Sequence, residues 1–449
     1  MQKEAGGRRQ EAGRGTWMLA GGIVLLGLIS YLPALNNGFI GDDFVFLERS
    51  WAWLNDPGLV FSDPPGGFRA TTLLAFLLLQ SLAGYQAAVF YIFAIAVHLL
   101  NCLLVGRLAF EVAGQFSDSE TSEPTGMRAL PGRSQRRIAW TAAAFMAVIQ
   151  QPQEAVMWLS ALSDLLAAFF MLLSLLLWTR QRHFYAAALF CAALLSKESA
   201  LIFPLLAWIL ERGILKRRRS SLQWLWLGLP AAAGAGLLFG TLSQNSLLTA
   251  GYYEFGPGAA QVLANSLFRL TFPWLFIVLA LAGLGLWKKP PAKWKGKSQM
   301  AWLSLWTAAA LLPFAFLTYQ DHLPSRHLYL ASAGWVILLA LLAAKIAWPR
   351  WRIAFLAGFL AVNPAYLWLR KDAQFEERAA PTRELLQFLR NTPPAPLAVS
   401  GFPANPWVGR LTTRLVPGWE PDLLTVNDLQ GTQTPQIRLR WNGKTYQAE

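Results

Sequence analysis

Apolar runs close to the length that crosses a bilayer recur along this chain, and no other feature constrains its fold as much. A membrane-spanning helix needs roughly 20 such residues. Hydropathy and breakers mark out eleven runs, near 17–35, 86–111, 138–150, 164–179, 183–196, 199–213, 222–242, 262–287, 299–318, 328–347 and 352–369. The expected fold is an all-α polytopic membrane protein of about 11 transmembrane helices. Composition agrees, with 55% of the 449 residues apolar and 14% charged. The 21 tryptophans suit the membrane–water boundary, where indole keeps its N–H wet.

The net charge of +14 lies in short segments between apolar runs, not on one soluble face, and so argues against a nucleic-acid partner. With alternating spans and a cytoplasmic N-terminus, the inner side receives the N-terminal tail, Arg107 to Arg137, Arg180 and Arg182, Arg212 to Arg219, Lys288 to Lys297 and Lys345 to Arg352. The outer loops hold Arg49, Arg69, Lys197 and Arg326. This is the positive-inside pattern, and it requires the apolar residues 69–84 to lie along the outer surface. The run from Trp17 to Leu35 has no small-residue cleavage site and reads as an uncleaved first helix. Cys102 and Cys191 both fall inside spans, which leaves no disulfide framework.

Three parts follow: a cytoplasmic tail 1–16, a membrane domain 17–369 with an outer loop at 36–85, and an extracytoplasmic domain 370–449. The last is expected to be a small α+β unit. Residues 370–390 have helical patterning, Leu397–Ser400 and Ile437–Trp441 are strand-like, and Asn442-Gly443 is a turn. Residues 114–136 read as a flexible loop.

Spans 138–150, 183–196 and 199–213 are short, covering only about 20 Å at 1.5 Å per residue. Their outer ends should therefore lie below the outer surface and leave a recess. The break between the last two falls at Ser196-Lys197-Glu198, since a merged helix would put Arg217-Arg218-Arg219 outside. Ionisable groups at membrane depth are costly and mark cavities or partners. The outer-side set is Asp42, Asp43, Glu48, Arg49, Arg69, Glu154, Asp164, Lys197, Glu198, Glu254, Arg269, Asp321, His322, Arg326 and His327. His98 and Asn101, one turn apart, read as a helix-packing polar pair. No HExxH, P-loop, GxSxG or GxGxxG pattern occurs in a usable context.

The adjacent carboxylates Asp42 and Asp43 directly follow the first span, in Asn36-Asn37-Gly38-Phe39-Ile40-Gly41-Asp42-Asp43. This stretch resembles the first outer loop of the GT-C membrane glycosyltransferases, in the branch of transmembrane O-mannosyltransferases that carry tetratricopeptide repeats and their bacterial relatives. Four more stretches resemble that branch in order. They are Phe68-Arg69-Ala70-Thr71-Thr72, the block from Pro152 through Glu154, Trp158 and Ser160 to Asp164-Leu165-Leu166, then Leu195-Ser196-Lys197-Glu198, and Ser325-Arg326-His327-Leu328-Tyr329. Gln151 stands where the family has His, the spacing to Glu154 is one residue shorter, and the helical repeats are lacking.

The resemblance implies transfer of a hexose from a polyprenyl-phosphate-sugar donor to a hydroxyl of a protein or glycolipid acceptor. The reaction would run at the outer face of the plasma (bacterial inner) membrane, inverting the anomeric carbon. It implies Asp43 or Asp42 as base, with Asp43 preferred, and Arg326, Lys197 and Tyr329 at the donor phosphate. Arg69, Glu154, Asp164, Glu198 and His327 would line the pocket, and a divalent metal cation could sit at Asp42 and Asp43. Two other classes are a secondary transporter, which should show repeats and broken spans in both halves, and a non-catalytic envelope scaffold, which leaves the aspartate pair without a role.

Overall fold

The computed structural model describes residues 2–59, 69–117, 132–240, 251–287, 296–318, 320–431 and 434–449. In chain order its longer helices are α1 (Gln2–Tyr31), α2 (Asp43–Asn55), α3 (Ala70–Ala83), α4 (Ala87–Ser117), α5 (Gly132–Val148), α6 (Leu162–Thr179), α7 (His183–Leu194) and α8 (Ser221–Gly240). They continue with α9 (Pro257–Thr271), α10 (Trp274–Gly283), α11 (Gly296–Ala309), α12 (Tyr329–Ala344), α13 (Pro349–Tyr366) and α14 (Asp372–Asn391). Phe68 and most of the expected loop 114–136 lie outside the described residues.

Among the described residues six helical segments are long and apolar enough to cross a membrane: Trp17–Asn36, Ala87–Phe116, Leu159–Thr179, Ser221–Gly240, Ser325–Ala344 and Pro349–Asn391. The protein is a multi-pass membrane protein. Of the other expected spans, 138–150 and 183–196 are single shorter helices, α5 and α7, and three are interrupted. Run 262–287 is the pair α9 and α10, bent by 69° at Phe272-Pro273. Run 299–318 is α11 plus the short helix Leu312–Ala315. Run 199–213 is a 3-10 turn, a six-residue helix and a π turn, Ile209–Ile214. The expected break before it is present, with Lys197 extended at φ −162° between α7 and the 3-10 turn Glu198–Ile202. Helix α3 is 14 residues long, or about 21 Å at 1.5 Å per residue, short of a span.

The chain forms two compact units. One holds Met1–Ser30, Ile95–Ala155 and Ser163–Tyr366. Its centre is α12, apolar all round and buried on nearly every face, as expected of a helix enclosed by others. It packs on α5 and α11. Close approach to α11 depends on Gly334, where a Cβ would stand 2.6 Å from Cε3 of Trp306. At the other end of α6, the basic stretch Lys216 to Arg219 is structured. Buried Glu211 takes Arg219 through Oε1 at 2.9 Å and Oε2 at 3.2 Å, and Arg219 also donates to the Trp178 carbonyl at 3.2 Å.

The second unit holds Tyr31–Ala94, Val156–Leu162 and Leu367–Glu449. The first loop, expected within the membrane domain, thus packs as one body with the C-terminal residues. That tail carries a four-stranded mixed sheet in the order β2-β1-β3-β4, from β1 (Leu397–Ser400), β2 (Leu424–Val426), β3 (Ile437–Trp441) and β4 (Tyr446–Ala448). Strand β1 pairs in parallel with β2 and β3, and β3 turns antiparallel into β4 through Asn442-Gly443, with Gly443 at φ +98°. Leu397, Val399, Leu424, Val426 and Leu439 form its buried face.

Gly334→Val tests the α11–α12 packing. The added methyls have no room beside Trp306, and overpacking of this kind costs about 1–3 kcal/mol. The melting temperature of the detergent-solubilised chain should fall by several degrees, and an unchanged value would show that the two helices do not meet there.

Candidate functional site

In the second unit, the chain leaves the first apolar helix through a 3-10 turn, Leu32–Asn36, and reverses at Gly41, whose φ of +52° is the left-handed value that favours glycine. That reversal starts α2 and sets its first two carboxylates in opposite surroundings. Asp42, the N-cap, is exposed and makes no side-chain capping bond. Asp43 is fully buried. Its Oδ2 accepts from the Ile40 N–H at 2.8 Å, and its Oδ1 accepts from the Ser160 N–H at 2.6 Å and from the Ser160 hydroxyl.

Two further bonds join the same stretches. The Trp158 indole donates to the Ile40 carbonyl at 3.1 Å, and the Tyr91 hydroxyl lies within reach of the Gly38 carbonyl at 3.2 Å and the Met157 carbonyl at 3.3 Å. Phe39 packs edge-on against Phe44 and Phe90, and Phe90 against Phe76. The Thr382 hydroxyl holds the Phe39 carbonyl at 2.9 Å. Burial pushes the Asp43 carboxyl up to about 7, against the opposing pull of its bonds to Ser160 and Ile40. Ser160, half-buried, is the side chain through which Asp43 reaches outward.

Of the two candidate bases, Asp43 is the buried one and Asp42 the exposed one. A carboxylate with both oxygens bonded inside the protein holds its surroundings, whereas Asp42 is open to a substrate. A divalent cation at the pair would have only exposed Asp42 and one lone pair of buried Asp43 to hold it. Among the described residues no group of three His, Cys, Asp or Glu side chains is arranged to hold one. Arg69 is half-buried at the start of α3 in this unit.

The remaining expected residues lie in the other unit. Lys197 is buried and donates to both oxygens of Asp164, at 2.7 and 2.6 Å. His327 completes the group, with Nδ1 at 3.4 Å from the ammonium and 3.6 Å from Asp164 Oδ1. The His327 ring stacks on Phe314, whose face also lies 5.1 Å below the ammonium. The point charge expected at a phosphate is thus already balanced by a carboxylate.

Arg326 lies in the 3-10 turn that opens α12, as its sequence position implies. Its backbone N–H meets Glu154 Oε2 at 3.4 Å and its guanidinium approaches the same oxygen at 3.9 Å, while Ser325 Oγ accepts from the Glu154 N–H at 3.2 Å. With a quarter of its side chain exposed, Arg326 is more open than buried Lys197. Glu198 is half-buried at the start of its 3-10 turn.

Tyr329, expected at the donor phosphate, lines the same small cavity as Arg326 and His327. Its buried hydroxyl is bonded to His98 Nδ1 at 2.8 Å and to the Asn101 amide at 3.2 Å, which makes the His98–Asn101 pair a clamp on α12. The expected recess is not wide: the cavity lined by Asp164, Arg326 and His327 measures about 20 Å³, room for a single water. Sequence reasoning missed the roles of Ser160 and Trp158, although both stand in the stretch that carries the resemblance. Comparison with protein-family models finds no match, and comparison with curated proteins finds none.

Two measurements test these clusters. Folded Asp43 keeps a proton to about pH 7, while an unfolded aspartate releases it near 3.8. The contribution of this group to stability is full below the lower value, declines as pH rises, and is lost above the higher one. Asp43→Asn removes that slope, so the melting-temperature difference between wild type and variant should shrink as pH is raised from about 5 to 8. A constant difference would contradict the burial of Asp43. For the second cluster, Asp164→Leu leaves an uncompensated buried ammonium and should cost about 3–5 kcal/mol, whereas Asp164→Leu with Lys197→Met should recover most of it. Additive losses in denaturant titrations would show that the two groups are not paired.

Proposed function

We propose that this chain is a membrane glycosyltransferase of the GT-C type, with about 11 membrane-crossing or re-entrant helices, a cytoplasmic N-terminus and an extracytoplasmic C-terminus. It moves a hexose from a polyprenyl-phosphate carrier to a hydroxyl of a protein or glycolipid at the outer face of the plasma (bacterial inner) membrane. One observation carries the reading. The stretches on which the resemblance rests supply the members of both polar clusters: Ile40 and Asp43 with Trp158 and Ser160, and Glu154 and Asp164 with Lys197, Arg326 and His327.

The chemistry distributes two tasks. The acceptor hydroxyl attacks C1 of the sugar as the bond to the lipid phosphate breaks, so a proton must leave the acceptor and negative charge must be met on the phosphate. Asp42 is the carboxylate with open access and takes the proton. Asp43 acts through position, holding Ile40 and Ser160 so that Asp42 begins α2 at the surface. In the other unit, Arg326 carries the forked donors that suit a lipid phosphate. Direct displacement inverts the anomeric carbon, through an oxocarbenium-like state.

The test is transfer from radiolabelled polyprenyl-phosphate hexoses into envelope acceptors, with glycoconjugates compared by mass spectrometry with and without the gene. Asp42→Asn should lower turnover by about a hundredfold or more, as expected for loss of a general base, while insertion and melting temperature stay near wild type. Asp43→Asn should lower both activity and stability, since an amide offers only one oxygen to the Ile40 and Ser160 donors. Asp42→Asn at full activity would remove Asp42 as the base, and identical glycoconjugates with and without the gene would remove the transferase reading.

A further inference from the structure

Outside both polar clusters, the second unit contains a cleft of about 340 Å³, within the range of small-ligand sites. Its walls are the first loop at Gly38 and Phe39, Tyr85 and Ala87 beside the start of α4, and one face of α14. Arg383, Gln387 and Arg390 recur at helical spacing and so share that face.

On the first-loop and Tyr85 walls of the cleft the acceptors are engaged elsewhere. The Phe39 carbonyl accepts from Thr382, and the Gly38 carbonyl lies within reach of the Tyr91 hydroxyl. The Tyr85 hydroxyl accepts from the Trp51 indole at 3.0 Å and from the Gln80 amide at 3.1 Å. Indole is a donor only, and the Gln80 carbonyl is turned to the Ser50 hydroxyl at 2.9 Å. Both lone pairs of Tyr85 are thus filled, and its own proton is left to donate, with no acceptor among the described residues. Arg390 makes no ion pair or side-chain hydrogen bond among the described residues, and Arg383 is held loosely by Glu376 at 3.4 Å and Glu384 at 3.8 Å.

Gly38 follows the end of the first apolar helix by two residues, and Ala87 is the first residue of the next. The cleft therefore stands where two spans meet the membrane surface, at the level of lipid headgroups. We propose that it binds the phosphate headgroup of an anionic membrane lipid. Guanidinium forks and a phenol proton match phosphate oxygens in number and kind, and the position favours a ligand anchored in the bilayer. Because Gly38 and Phe39 belong to the loop that carries Asp42, an occupant clamps that loop against α14. This site stands independently of the transfer reaction.

Native mass spectrometry of the full chain, offered phosphatidylglycerol and phosphatidylcholine together, tests the proposal. Phosphatidylglycerol should be retained in preference. Arg383→Gln with Arg390→Gln should weaken its retention about tenfold or more, through loss of two charge-assisted contacts, and Tyr85→Phe about fivefold, through loss of one hydrogen bond. The charge-matched control Arg438→Gln with Arg440→Gln, on exposed positions of β3, should leave retention unchanged. Equal retention of both lipids by wild type overturns the site, and an equal loss in the control overturns it in favour of surface charge alone. Displacement of the lipid by micromolar inorganic phosphate overturns the lipid as its ligand. Should the double arginine variant not fold, Tyr85→Phe decides: unchanged retention overturns the proposal.

Discussion

The buried carboxylate of Asp43 is the interaction on which the rest of the second unit depends. Three donors from two stretches of chain, one of them 117 residues beyond Asp43, end on its two oxygens. Withdrawing a carboxylate from water is expensive unless its lone pairs are met. Here they are met mostly by backbone N–H groups, which cannot move without moving the chain. The outcome is a fixed loop: Gly41 turns it, Asp43 anchors it, Trp158 and Tyr91 staple its carbonyls, and Thr382 ties it to α14. Asp42, one residue earlier, is left at the surface by the same arrangement. Adjacent carboxylates are thereby given different tasks without any difference in residue type.

The other unit solves a related problem with paired charge. Lys197 and Asp164 sit among apolar helices, where either alone would be strongly destabilising, and His327 and the Phe314 face complete their surroundings. Such a group registers three segments against each other: the start of α6, the break before Glu198 and the turn that opens α12. Next to it, Arg326 is drawn only weakly to Glu154, at 3.9 Å, and stays partly exposed. The group is thus a balanced structural core with a partly exposed cation at its edge.

Much of this was legible in the sequence. The apolar runs located nearly every helix, residues 69–84 read correctly as too short to cross, and the break at Lys197 followed from charge placement alone. Strands β1 and β3 and the Asn442-Gly443 turn were visible in local pattern. Helix length was not: hydropathy runs on across Pro273 and Pro313, where the missing backbone donor interrupts the helix. Nor was burial of Asp43 over Asp42, because it is set by Ser160 arriving from a distant segment. The pairing of Lys197 with Asp164, and of Tyr329 with His98 and Asn101, was hidden for the same reason. Each residue type alone fits a ligand-binding role as well as a packing one.

The central claim is that the chain breaks the bond between a sugar and its lipid phosphate, and phosphorus NMR reads that bond directly. Purified wild type, mixed with a polyprenyl-phosphate hexose and envelope acceptor extract, should convert the phosphodiester resonance into that of a phosphomonoester, and Asp42→Asn should leave it in place. Persistence of the diester with every hexose carrier supplied to folded wild-type protein would contradict the account.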